Sequence, residues 1–230
     1  LLMVVHLNRT GSNMRQWVIF ILSCIALAGG VVAALATAAE RDFQLRGYVD
    51  PIADSNLPYR VSRLGVNASL EQYTDAELDE HLALMTAANI TWVRQEISWA
   101  VVEAEQGDYD WSRYDRLIAA IDQYPALQLI LVLRDTPPWE RDERASDHPT
   151  APPADNETFA AFAGAVAARY GDVVDHYQVW DEPNLRDAWG GLDPQPADYA
   201  ALLGPAYTTI HSADIGATVI AASLAPTTEA

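Results

Sequence analysis

The residues whose types and spacing point most directly to chemistry are Val179-Trp180-Asp181-Glu182-Pro183-Asn184. Two adjacent carboxylates stand between a tryptophan and a proline, at the end of the strand expected over Val173–Trp180. Proline fixes φ and has no N–H to give to a β ladder. A strand that runs into Glu182-Pro183 therefore stops there, and the Glu182 side chain is held at the mouth of the sheet, where a reacting group can reach it. A carboxyl so placed suits general acid/base work, in which a positioned group gives a proton to a leaving oxygen.

Other reactive or ring-bearing residues fall near the ends of other apolar runs. Arg94 lies in TWVRQEI, Trp99 just beyond it, and Asp135 and Trp139 in LRDTPPW. Trp99, Trp139 and Trp180 carry the kind of apolar face on which a sugar ring stacks. Arg94 suits either an active-site role or an ion pair with a strand-end carboxylate. Trp139, beside two prolines, either lines a site or plugs a loop. Asp135 is a candidate for substrate contact, and Glu96 and Glu103 read as structural. The histidines show no metal-ligand spacing, so no metal and no cofactor is expected. Cys24 is the single cysteine, which excludes an intrachain disulfide and a thiolate cluster.

The elements that must position these residues alternate. Arg63–Asn67 is a short strand, and Thr74 opens a helix with the capping-box pair Thr74 and Glu77. Thr91–Ile97 is the next strand. A helix from Ser112 places Tyr114, Leu117, Ile118 and Ile121 on one face. Gln128–Leu133 is a continuous apolar run suited to a parallel strand covered on both faces. Arg134–Asp155 reads as a surface loop. Asn156–Tyr170 is a helix ending before Gly171, Val173–Trp180 a strand, and Pro196–Ala213 a helix with a kink expected at Gly204-Pro205. Ala217–Ser223 is a fifth strand. About four and a half β/α units in succession predict a parallel α/β architecture. The first strand is not followed by a G-x-G-x-x-G loop, as an open nucleotide-binding sheet would prefer. The strand ends carry carboxylate, Asn, Arg and Trp instead, which favours a (β/α)8 TIM barrel with its site at those ends.

The W-D-E-P-N segment resembles the W-N-E-P-N motif of the clan A glycoside hydrolases, most like families 39 and 5. The resemblance extends over residues 60–230. Trp92-Val93-Arg94 through Trp99, Glu103, Gly107, Tyr109-Asp110-Trp111, Tyr114 and Asp115 looks like the family's second-strand block. Leu133–Trp139 is similar to its third-strand segment, and Ala221–Pro226 to its fifth-strand end. The resemblance implies that Glu182 is the general acid/base, that position 181 binds the sugar 2-hydroxyl, and that Arg94, Trp99, Trp139 and Asn184 serve substrate binding. It implies retaining hydrolysis of O-glycosidic bonds in an oligo- or polysaccharide. Two departures are plain. Asp181 replaces an Asn and cannot donate an amide N–H. The family's nucleophile, a Glu closing the seventh strand, is absent from this chain; Glu229 follows only the fifth. The expectation is therefore the N-terminal part of the barrel, inactive by itself. The alternative is a non-catalytic carbohydrate-binding homologue.

Charge and termini bound the setting. The chain has 230 residues, of which 32 are acidic and 14 basic, a net charge of −18. Nucleic acid, which demands a positive footprint, is excluded as a partner. Trp17–Ala39 is uncharged and long enough to span a bilayer, with Arg9 and Arg15 before it. Residues 1–39 therefore read as either a cleaved signal peptide, with Ala36-Thr37-Ala38 as the cleavage site, or an uncleaved anchor in the cytoplasmic membrane. Both predict an extracytoplasmic protein, secreted or anchored. Residues 40–60 read as a linker, and 61–230 as the barrel part.

Overall fold

A computed structural model of the chain describes residues 4–45 and 64–226. The chain divides into an N-terminal unit, residues 1–60, and a second unit, residues 61–230. In the first, the described residues form one helix, α1 (Val4–Leu45). Within it Gln16–Ala39 is long and apolar enough to cross a membrane, with a mean hydropathy of 2.7. The helix continues through Glu40–Leu45, into the stretch read as linker; the rest of that stretch lies outside the described residues.

The second unit is built as β1 (Leu64–Ala68), α2 (Asp75–Ala87), β2 (Ile90–Ser98), α3 (Trp99–Val102), α4 (Ser112–Asp122), β3 (Gln128–Arg134), α5 (Asn156–Tyr170), β4 (His176–Val179), α6 (Pro196–Ala213) and β5 (Thr218–Ala221). All neighbouring strands are parallel and follow one another as β1-β2-β3-β4-β5. That order decides between the two α/β architectures. A doubly wound sheet reverses its strand order at a switch point, and this sheet does not. With right-handed crossovers, unidirectional order puts every helix on one face. The other face is the inner wall of a barrel, of which five strands are described.

The two faces differ as that geometry requires. Toward the helices point Val93 and Ile97 of β2, Leu129, Leu131 and Leu133 of β3, and Tyr177 and Val179 of β4, all buried. They share a core with Leu117 and Ile121 of α4, Phe159, Phe162 and Val166 of α5, and Leu202, Ala206 and Ile210 of α6. Each buried Val, Leu, Ile or Phe among them contributes about 1.5–3 kcal/mol. The opposite face carries Asn67, Arg94, Glu96, Arg134 and Gln178, brought side by side by the register Asn67↔Arg94, Glu96↔Val132↔Gln178 and Ser98↔Arg134.

Local chemistry sets the ends. Thr74 and Glu77 form the full capping box. Asn89, just past α2, adopts φ 57°, the left-handed C-terminal conformation that Asn tolerates. Gly171 follows α5 with φ −60°, so its conformation is open to any residue; its small size is used instead, because a Cβ there would lie 2.8 Å from the Ala167 carbonyl oxygen. α6 runs through Pro205 as one helix. β4 is shorter than the strand expected over Val173–Trp180, because Val173 and Val174 hydrogen-bond back to the Tyr170 carbonyl and close a turn.

Candidate active site

Glu182 stands where β4 gives way to its loop. Backbone bonds fix the approach: Trp180 N–H donates to the Leu133 carbonyl (2.9 Å), extending the β3–β4 ladder, and Glu182 N–H donates to the Ser223 carbonyl beyond β5 (3.0 Å). Tyr199 of α6 ties the same two strand ends together. Its hydroxyl donates to the Val179 carbonyl (3.0 Å) and accepts from Ala222 N–H (2.6 Å).

The backbone at this end is strained. Apart from Asn89, the non-glycine residues with positive φ among those described are Asp135 (65°), Trp180 (65°) and Glu182 (46°). All three follow the ends of β3 and β4. A left-handed L-residue costs about 1–2 kcal/mol, and such strain persists where surrounding contacts over-determine it, commonly at functional sites. Here the contacts are the paired strand ends and a buried ring. Trp180 is 1% exposed, edge-on to Phe159 and Trp189, with its indole N–H donating to the Ala188 carbonyl (2.9 Å).

Behind Glu182 lies a polar network. Arg94 Nη2 pairs with Asp181 Oδ1 at 2.6 Å, and Arg94 Nε donates to Gln178 Oε1 at 3.0 Å. Gln178 Nε2 donates to the Trp180 carbonyl (2.8 Å) and to Asp181 Oδ1 (3.3 Å). Ser223 Oγ also donates to Asp181 Oδ1. Three donors thus converge on one oxygen of Asp181, while Oδ2 and the Glu182 carboxyl accept nothing from the described side chains. Toward β2 and β3, Arg134 bridges Glu96 (3.0 Å) and Asp135 (2.9 Å). The result is a shelf of paired charges with one uncommitted carboxyl at its rim. A cavity of about 750 Å³ between α4 and α5 is lined by Tyr109, Trp111, Asp115 and Arg169, none of them in this cluster.

A family model described as beta-galactosidase (glycosyl hydrolase family 42) matches residues 69–139. A beta-galactosidase of Halorubrum lacusprofundi is 35% identical over 86 residues, 36% of this chain and 12% of the relative. Among solved structures, a family 39 glycoside hydrolase from Bacteroides cellulosilyticus superposes with a TM-score of 0.53 at 20% identity, over 69% of this chain and 31% of that one. An exo-beta-1,4-mannosidase from an Opitutaceae bacterium gives 0.55 at 20% identity, over 68% and 31%. The chain is related to the clan A glycoside hydrolases. It spans about an eighth of the curated relative and a third of these structures, and its fold is part of their (β/α)8 barrel.

Within this clan A framework the residues singled out from sequence separate. Glu182, Asp181 and Arg94 come together at the strand ends. Trp99 does not join them: it is fully buried, stacked on Phe162 and edge-on to Phe159 and Trp139, so no ring face is left for a sugar. Trp180 is corrected on the same ground. Trp139 is half-buried, and its indole N–H donates to the Glu103 carbonyl (3.0 Å), which holds the loop after β3 against α3. Asn184 spends its amide on the Ala225 backbone, donating to the carbonyl (2.8 Å) and accepting from the N–H (3.0 Å). It clamps the β4 loop to the segment after β5 rather than facing substrate. Glu103 is structural, as read: it is 4% exposed and accepts from Trp99 Nε1 (2.7 Å) and Gly107 N–H (2.8 Å). Gln178 and Ser223 were not singled out. Gln178 had a signal, since it is a polar residue between the apolar Tyr177 and Val179 of β4.

Proposed function

We propose that this chain carries the acid/base half of a retaining glycoside hydrolase site, acting on a neutral β-linked oligo- or polysaccharide. The observation that carries the reading is Glu182, in left-handed backbone at the end of β4, with an uncommitted carboxyl beside the Arg94–Asp181 pair. In the reaction, the protonated Glu182 gives its proton to the leaving glycosidic oxygen while a second carboxylate attacks the anomeric carbon. Glu182 then takes a proton from the water that releases the glycosyl group. The attacking carboxylate belongs, on this reading, to a later strand of the closed barrel, about 5–5.5 Å from Glu182. Asp181 accepts from a sugar hydroxyl, its charge offset by Arg94. The β linkage follows from the relatives' names, and neutrality of the substrate from the acid-rich chain.

The apolar stretch Gln16–Ala39, with Arg9 and Arg15 ahead of it, supports export of the barrel across the cytoplasmic membrane, as a cleaved signal or as an anchor. Membrane fractionation with N-terminal sequencing of the cell-derived protein separates the two.

The reaction is tested by following hydrolysis of 4-nitrophenyl β-glycosides by the full-length protein, with proton NMR of the first sugar released. Net retention of anomeric configuration is expected. Inversion, or no hydrolysis of any β-glycoside, would overturn the proposal.

A further inference from the structure

Gln178 is a buried polar side chain for which the mechanism above has no use. It is 4% exposed, on the inner face of β4, four residues before Glu182. Its amide is fully engaged. The oxygen accepts from Arg94 Nε at 3.0 Å, and the nitrogen donates to the Trp180 carbonyl at 2.8 Å and to Asp181 Oδ1 at 3.3 Å. No other described side chain hydrogen-bonds to both Arg94 and the backbone of the turn. Trp180 sits at φ 65° and Glu182 at φ 46°, so the peptide between Trp180 and Asp181 can relax unless something holds its carbonyl.

We propose that Gln178 is a positioning residue, which holds the Trp180–Asp181 peptide and the Arg94–Asp181 pair in register so that Glu182 is aimed at the scissile bond. The inference rests on the glycosidase reading of this site. An amide is the side chain that fits, because the position needs one acceptor for Arg94 and two donors for the turn and Asp181. A carboxylate keeps the acceptor, loses both donors, and sets a like charge beside Asp181. Displacement of a reacting group by about 1 Å can cost about 100-fold in rate, so loss of this hold is read in kcat.

The test uses the full-length protein with a 4-nitrophenyl β-glycoside as reporter and galactose as binding probe. Gln178→Met, which keeps the length of the side chain, is expected to lower kcat per folded molecule by about 10–100-fold with little change in KM, on top of the fall in Tm that its unpaired partners bring. Gln178→Glu is expected to be weak at neutral pH and to regain activity on acidification, when a proton restores a donor. A purely structural Gln178 would lower Tm and the active fraction without moving the pH profile. If Glu182→Gln cripples turnover while both Gln178 variants keep the wild-type kcat and pH profile, the positioning role is wrong and the glycosidase reading stands. If Glu182→Gln leaves turnover unchanged, or the wild type hydrolyses nothing, the glycosidase reading and the catalytic aim of Gln178 fall together. A galactose affinity that is nonetheless weakened in Gln178→Met would then leave a sugar-binding shelf held by the same amide.

Discussion

Arg94 Nη2 lies 2.6 Å from Asp181 Oδ1, and the two side chains are only 20% and 16% exposed. The pair explains how a carboxylate is tolerated at position 181, where the W-N-E-P-N motif that the segment resembles has an amide. The Asp181 charge is met by a guanidinium from β2, two strands away, and Gln178 and Ser223 complete the shell of donors. Removing one partner of a part-buried pair leaves the other uncompensated, at about 1–3 kcal/mol.

Arg94→Met is therefore expected to destabilise the barrel part by about 1–3 kcal/mol. Asp181→Asn, which keeps an oxygen acceptor for Arg94, should cost less. Urea unfolding of the two variants checks the order. Equal losses would show that the charge of Asp181 carries the pair and that an acceptor oxygen alone does not satisfy Arg94.

Gly190 tests whether the loops after β3 and β4 are locked together. Its φ is +68°, and a Cβ added there would lie 2.8 Å from Ala151 Cα and 2.9 Å from Ala145 Cβ. Both clash partners belong to the β3 loop, and neither is the end of a flexible side chain. Gly190→Ala is expected to lower stability by about 1–3 kcal/mol and to loosen the segment that follows Glu182. Hydrogen exchange should show faster opening between residues 185 and 192; unchanged protection would mean that the two loops are not coupled.

Much of the fold was legible because its signals are local. The capping box at Thr74, the apolar face of α4 and the limits of α5 each follow from a few neighbouring residues. The unidirectional strand order was reachable only through the residues at the strand ends. The site was half legible. Glu182 announces itself through Pro183, but the burial of Trp99 and Trp180 depends on Phe159 and Phe162, which arrive from a helix some 60 residues after Trp99. Likewise Asn184 reads as a ligand until Ala225 is seen to occupy both ends of its amide. Exposure of a ring, unlike the end of a strand, is a tertiary property.

Asp115 gives an acid-stability prediction. Hydrogen bonds from Arg169, at 2.7 and 2.6 Å, hold its carboxyl below the ordinary 3.8, and the Tyr170 hydroxyl adds to this. A carboxyl whose pKa is depressed by folding binds its proton more weakly in the native state. Its contribution is present above the unfolded pKa and is lost as pH falls through the folded one. The wild-type Tm should fall more steeply below about pH 4 than that of Asp115→Asn. Both side chains are about 40% exposed, so solvent keeps the difference small. Parallel acid limbs would contradict it.

The most direct test of Glu182 as proton donor is the leaving-group dependence of Glu182→Gln in the full-length protein. An acid matters in proportion to how poorly the leaving oxygen departs unaided. Against a methyl or disaccharide β-glycoside, turnover is expected to fall by about 100- to 10,000-fold; against a 2,4-dinitrophenyl β-glycoside the loss in the glycosylation step should be slight. An equal loss on both substrates, or none on either, would contradict the acid/base role.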